Sequence, residues 1–529
     1  MSDLIAPDLE GAAAAVALAQ GVVEAAIGTI KAAGGVDESQ VVAYDLAHAA
    51  SAVAIARSSL AYGQKGVIEA LLACAFVADA LRDLGQRLLG REALFGTTPG
   101  WMDPSSTFVT TYCDPAFLAS LAGEEGPTHL DESFELVADT FHRFAEEQVR
   151  PRAEHIHRTN GDIPEDLIES LAEIGGLGLS IPESYGGFAS GGSEDYIGMV
   201  VATEALTWGS LGIGGSLITR PEILTRALVN GGTEDQKNRW LPKLATGEIL
   251  AAVAVTEPDF GSDVAGLTTS ATKTDEGWVI NGTKTWCTFG ARANVLMLLA
   301  RTDPDRSKTH RGLSLFVVEK PVGEGHGFAF SQESGGKMEG RPIDTIGYRG
   351  MHSYEISFDS WFVPEANLVG GEAGLGRGFY LQMAGFENGR IQTAARAIGL
   401  MQAAYEAAYA YAENRVVFGS AILDYQLTRV KLARMAVIIQ ACRQYSLQVA
   451  HLMAKGEGSL EASMAKAYVC RAAEWVTREA LQIHGGMGYA EEYPVSRYFV
   501  DARVLSIFEG ADETLCLKVI ARRLLDTSA

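Results

Sequence analysis

Apolar residues recur at three- and four-residue spacing through residues 9–95, as in Val67, Leu71, Cys74, Val77, Ala78 and Leu81. That spacing predicts amphipathic helices, punctuated by Gly34-Gly35 and Gly63. Between 96 and 128 the periodicity fades into turn-rich sequence around Pro99-Gly100, Asp103-Pro104 and Gly123 to Pro127, a long connector. Helical spacing returns at 130–150, 164–174, 194–207, 219–230 and 234–245. From 250 the period shortens. Residues 250–256 read as a buried strand, and 267–274 alternate. Residues 278–285 contain Asn281-Gly282, the strongest short hairpin signal. Strands follow at 295–300, 313–318 and 354–358 with no helix between them, which predicts a compact antiparallel β domain. From Phe379 the pattern is helical again, in stretches 379–413, 424–455, 459–484 and 512–525 separated by glycines. Long helices with short breaks imply an antiparallel bundle.

The expected architecture is multidomain α+β. It has an extra N-terminal helical block (1–100), a connector (101–129), a helical domain (130–249), an antiparallel β domain (250–366) and a C-terminal four-helix bundle (367–529). Residues 68–80 echo 460–472, with identities such as Glu69/Glu461, Ala73/Ala465 and Val77/Val469. Ala-rich helices also align by chance, so duplication stays open.

Composition narrows the function. The chain has 529 residues and a net charge of −23, which argues against a general nucleic-acid binder, although a local basic patch escapes such a sum. The six cysteines form no CxxC pair, which excludes a disulfide scaffold and disfavours a thiolate metal site. No metal is expected. The longest apolar run, 11–30, carries Gln20 and Glu24 and follows acidic residues. It reads as a buried helix, and the protein as cytoplasmic and free of membrane.

The usual nucleotide motifs, GxxxxGK[ST] and GxGxxG after a strand, are absent, as are HExxH and GxSxG. What stands out is VTEPDFGSD at 255–263 and WCTFG at 286–290. A strand end followed by Gly261-Ser262 offers N–H groups and a hydroxyl to a phosphate. Trp286 can stack on a flat ring, with Thr288 as a donor. Either piece alone reads equally as a turn and a core tryptophan. Three further motifs follow: RVVFGSAILDYQ at 415–426, QIHGGMGY at 482–489 and IFEGADE at 507–513.

In order and spacing these five motifs resemble those of the acyl-CoA dehydrogenase family, over residues 130–529. The resemblance implies FAD as cofactor and an acyl-CoA substrate. It implies electron-transferring flavoprotein as acceptor, and a homodimer or dimer of dimers. By the resemblance, Val255, Thr256, Ser262, Trp286 and Thr288 line the flavin and its phosphates, and Ser262 also meets the substrate. Arg415, Phe418, Gln426, Gln482 and Gly486 reach the FAD of a neighbouring subunit. Ala511 departs from the Thr that many members carry near the flavin, which puts one hydrogen bond in doubt.

Such a reaction needs a base for a weakly acidic α-proton and donors for an enolate-like oxygen. The resemblance assigns both to Glu509, as side-chain base and backbone N–H donor, with Gly510 letting the chain pass close to substrate. Some members carry the base just before the Arg of the bundle's first helix. Here that position is Gly389, and Glu387 lies on another face. Arg390 matches the family Arg that supports CoA and the base loop; a surface ion pair is its plainer reading.

The front block and the IFEGADET loop resemble members that act on a short branched diacid thioester. The acyl-pocket segment near 204–228 reads as shortened, and Arg220 is the candidate partner for a free carboxylate, or else a helix-end Arg facing solvent. Residues 211–217 carry no glutaryl-type Arg. The competing readings are a general short- or branched-chain acyl-CoA dehydrogenase, an acyl-CoA oxidase and, more remotely, a DNA-binding flavoprotein relative.

Overall fold

The computed structural model of the protein describes residues 5–192, 194–323 and 325–527, with backbone alone at Arg220, Pro221 and Glu387. The chain forms two compact units, Val137–Gln392, and Met1–Leu136 with Thr393–Ala529.

The first of these contains helices Arg150–Thr159, Glu165–Glu173, Asp195–Gly209, Thr219–Gly231 and Glu234–Ala245, then the sheet. Its strands are β1 (Ala251–Ala254), β2 (Ser270–Lys273), β3 (Gly277–Thr288), β4 (Val295–Arg301), β5 (Leu313–Glu319), β6 (Phe328–Ser331), β7 (Lys337–Ile343) and β8 (Ser353–Pro364). Their order is β1-β4-β2-β3-β8-β7-β6, with β5 also on β4. β4 is buried on both faces. Val295, Met297 and Leu299 meet the core under the helices 219–231 and 234–245, while Leu296, Leu298 and Ala300 meet the core of the opposite face. That alternation is the period-two geometry of a strand.

Two expectations about the sheet change. Pairing is antiparallel along β2-β3-β8-β7-β6 and β4-β5, but β1 and β2 pair with β4 in parallel. Asn281-Gly282 is not a hairpin turn. β3 runs straight through it with a register shift between Ile280 and Gly282, and Asn281 Oδ1 accepts from the Ser360 N–H at 2.8 Å. The hairpin turn lies six residues earlier, at Asp275-Glu276, where the Thr274 N–H donates to Gly277 O at 2.8 Å. Local turn propensity at Asn-Gly lost to continuous pairing with β8, which bulges opposite Asn281 with Ser360 left-handed at φ 53°.

The second unit begins with α1 (Leu9–Ala32), α2 (Gln40–Gly63) and α3 (Val67–Leu88). Asp8 caps α1 by accepting from the Gly11 N–H at 2.8 Å, and left-handed Gly34 and Gly35 follow its end. By length and composition α1 could cross a membrane; here its stripe of Ala12, Ala15, Val16, Ala19 and Val23 is buried and it packs on α2 and α3. α2 and α3 in turn pack on helix Gln426–Ala454, and α2 also on Ser459–His484. The front block and the bundle therefore share one core. The connector holds two short helices, Ser106–Tyr112 and Pro115–Ser120, and the bundle an additional helix, Val495–Leu505, that the apolar spacing does not announce. The last stretch is broken: Asp512–Thr514 is followed by a π-helical turn, Leu515–Ile520, then Ala521–Thr527.

Candidate active site

In unit Val137–Gln392 the motif residues collect where β1 ends beside the far end of β3. Val255 is buried directly after β1. The Thr285 N–H donates to Thr256 O at 2.8 Å, and Lys284 Nζ donates to Val255 O at 2.9 Å. β3 shifts register again between Lys284 and Cys287. This irregularity turns Trp286 out with φ 58° and 55 % of its surface exposed. A left-handed non-glycine residue costs roughly 1–3 kcal/mol and persists where the surroundings over-determine it. Phe289 (φ 66°) and His352 (φ 44°) share that conformation nearby. Ser262 lies in the exposed turn after Glu257 and Phe260, which exchange backbone hydrogen bonds at 3.0 and 3.1 Å. Thr288 is buried, its hydroxyl 3.1 Å from Ser353 Oγ.

An ion pair unread in the sequence holds this corner. Lys284 and Glu257 meet at 2.9 Å with side chains 0 % and 3 % exposed. Glu257 also accepts from the Thr268 N–H at 2.7 Å and the Thr269 N–H at 2.8 Å. Burial pushes the Glu257 carboxyl up, but the Lys284 charge and these donors outweigh it and hold it at about 2. Burial in turn draws Lys284 down to about 8 against the pull of Glu257. The available signal was strand period: Lys284 stands in phase with inward-facing Trp278 and Ile280, so a charge there needed a partner.

Arg390 is half-buried on helix Gly378–Asn414. Two residues before it Asn388 donates to Glu222 Oε1 at 3.2 Å, and two residues after it Gln392 donates to Glu222 Oε2. Arg226 also pairs with Glu222, at 2.9 Å. Residues 211–217 are buried and tightly turned; a Cβ at Gly212 would lie 2.2 Å from Arg349 O. The Arg220 side chain lies outside the described residues.

The other unit carries the remaining motifs. Phe418 and Gly419, at φ 54° and 86°, form the two-residue turn of a small hairpin, Val416–Val417 with Ser420–Ala421. Two left-handed central residues suit the strand twist. The turn leaves Phe418 97 % exposed, beside exposed Arg415 and ahead of Gln426, the first residue of helix Gln426–Ala454. Gln482 and Gly486 are exposed at the end of helix Ser459–His484, and no atom lies within 4 Å of a Cβ at Gly486. His484 stacks on Tyr411 at 4.3 Å, which ties that end to the helix leading into the hairpin.

Glu509, partly buried, sits at φ 54°, and Gly510 follows at φ 98°. Buried Lys466 donates to Gly510 O at 2.6 Å. The Arg396 guanidinium lies 4.7 Å from the Phe508 ring centre. Further along, Asp512 is buried among Tyr44 and His48 of α2 and Cys516. Neither Lys466 nor this cluster was read in the sequence, although each is a polar position in an Ala-rich helix or on its partner loop.

Three family models match the chain: the acyl-CoA dehydrogenase N-terminal domain at 131–248, the middle domain at 252–361 and the C-terminal domain at 376–525. The chain belongs to the acyl-CoA dehydrogenase family, whose members are FAD-dependent oxidoreductases. Among curated relatives it is 47 % identical over 403 residues to (2S)-methylsuccinyl-CoA dehydrogenase of Cereibacter sphaeroides, covering 76 % of this chain and 71 % of the relative. It is 36 % identical to an acyl-CoA dehydrogenase of Bacillus subtilis, over 72 % of this chain and 95 % of that one. The solved butyryl-CoA dehydrogenase of Megasphaera elsdenii superposes with a TM-score of 0.68 at 31 % identity. The match covers 99 % of that chain but 75 % of this one.

The residues suit FAD. Trp286 is a flat aromatic held outward by strained backbone, and Phe418 caps a hairpin with almost no surface covered. Gly486 keeps open space against its backbone. Such surfaces are what a planar ring system with a phosphate tail would cover.

Proposed function

We propose that the protein oxidises (2S)-methylsuccinyl-CoA to mesaconyl-CoA. The observation that carries the reaction is Glu509, a left-handed carboxylate residue followed by Gly510, whose carbonyl is fixed by Lys466. The substrate reading draws on the 47 % identical relative of that name and on the helical block ahead of residue 131.

Glu509 removes the α-proton, and its backbone N–H donates to the thioester oxygen as negative charge gathers there. Gly510 lets the acyl group approach the backbone. Arg390 supports the CoA moiety and the base loop. Val255, Thr256, Ser262, Trp286 and Thr288 hold one copy of FAD, and Arg415, Phe418, Gln426, Gln482 and Gly486 reach the copy bound by a neighbouring subunit, in a homodimer or dimer of dimers. FAD supplies the acceptor for the hydride that leaves the β-carbon. Electron-transferring flavoprotein then takes the electrons. Arg220 pairs with the free carboxylate of the substrate.

Anaerobic bleaching of the bound flavin by a panel of CoA thioesters tests this reading. (2S)-Methylsuccinyl-CoA should reduce it fastest, and butyryl- and octanoyl-CoA at least roughly tenfold more slowly, because an Arg lacking its carboxylate stays unpaired. Preference for octanoyl-CoA would overturn the substrate assignment and leave the family chemistry intact. In the same assay Arg220→Met should weaken the diacid thioester and relax the penalty on butyryl-CoA. An unchanged preference would remove Arg220 as the anchor.

A further inference from the structure

We infer that the N-terminal helical block positions the catalytic base: Tyr44 and His48 of α2 clamp Asp512 and so hold the loop that carries Glu509. This rests on reading Glu509 as the base.

Tyr44 and His48 stand one turn apart on α2 and face the same way. The Tyr44 hydroxyl donates to Asp512 Oδ2 at 2.5 Å, and His48 Nε2 lies 3.1 Å from the same oxygen. Their rings meet edge to face at 4.8 Å. His48 and Asp512 are buried. Burial lowers the His48 pKa, so the ring is neutral and one nitrogen can donate. Burial opposes charge on Asp512 as well, but the His48 and Tyr44 donors still hold its carboxyl below the ordinary value. The trio is therefore an acceptor carboxylate gripped by two neutral donors.

Asp512 lies three residues beyond Glu509, and its N–H closes the loop onto Ser506 O at 3.1 Å. On the near side Lys466 holds Gly510 O. Glu509 keeps its left-handed backbone next to this pair of anchors, one supplied by the bundle and one by α2. The family match begins at residue 131, so the second anchor comes from outside the family domains. A buried His-Asp contact with a half-buried Tyr in an Ala-rich helix interface is costly relative to apolar packing; holding the loop accounts for its presence. Cys516 Sγ lies 3.4 Å from His48 Nε2 and 3.9 Å from Asp512 Oδ1. Burial pushes that thiol well up, so it joins the cluster as a weak donor rather than as a charge.

The test measures flavin reduction per bound FAD in the holoenzyme, with (2S)-methylsuccinyl-CoA or the fastest thioester of the panel. Misplacing a reacting group by an ångström costs up to about 100-fold. The double variant Tyr44→Phe/His48→Leu should therefore lose roughly 10- to 100-fold in the saturated rate, with half-saturation nearly unchanged. His48→Gln, which keeps an N–H donor, should recover most of the rate in an otherwise native chain. Asp37→Asn is the control: it releases Lys518 and Arg522, paired at 2.9 and 2.7 Å, and loosens the same block elsewhere. It should keep the native rate per FAD. A merely structural role would lower melting temperature and FAD occupancy alone. Should the double variant fail to fold, Tyr44→Phe alone must still slow the rate per FAD. A native rate in the clamp variants, or equal slowing by Asp37→Asn, overturns the clamp. Glu509→Gln separates the two ideas: if it still reduces flavin, the base assignment fails; if it is inert while the clamp variants are normal, only the clamp fails.

Discussion

Glu509→Gln should purify yellow, bind the thioester and lose turnover by roughly 10²- to 10⁴-fold, the usual cost of removing a general base. The substitution keeps side-chain size and leaves the backbone N–H in place. Lys466 still holds Gly510 O, so the loop is not expected to rearrange. The position before Arg390, where other members carry a base, is Gly389, so no carboxylate stands ready there. Stopped-flow flavin reduction under anaerobic conditions reads the effect directly. A rate within a few-fold of native would place the base elsewhere.

Lys284→Met should be the most damaging change outside the reacting centre. It strands the Glu257 carboxylate in the corner where β1 meets β3, and breaking a buried pair from one side costs about 3–5 kcal/mol. Folded proteins hold only about 5–15 kcal/mol in total, so loss of FAD and a large fall in the urea midpoint are expected together. Replacing both partners, Glu257→Gln with Lys284→Met, should restore much of the stability, because no charge is then left uncompensated. The acid side follows from the same pair. Glu257 holds its carboxyl at about 2 rather than 4.5, so its contribution is fully present above about pH 4.5 and is lost as pH falls toward 2. A Lys284→Met midpoint equal to native would refute the account.

Helix and strand placement was legible wherever burial follows a regular period. The helices of the front block, the bundle's long helices and the doubly buried β4 all announce themselves by apolar spacing. So did the cofactor and the chemistry, because the five motifs lie in continuous stretches. Asn281-Gly282 misled because a turn signal is local, whereas pairing with β8 extends over most of β3. Helix Val495–Leu505 was missed because it is short and carries Arg497 and Asp501 on its buried side. Strand period alone could have flagged Lys284, but not named Glu257 as its partner across 27 residues.

By itself the sequence determined which residue types stand in the five motifs and where helices give way to strands, since both depend on short-range spacing. The tertiary structure alone decided that α2 touches the loop that carries Glu509. Tyr44 and Asp512 are 468 residues apart, and no periodicity within either segment encodes the other. Their contact exists because small residues let α2 settle against the bundle, where a carboxylate that would be solvated on an isolated loop must find donors.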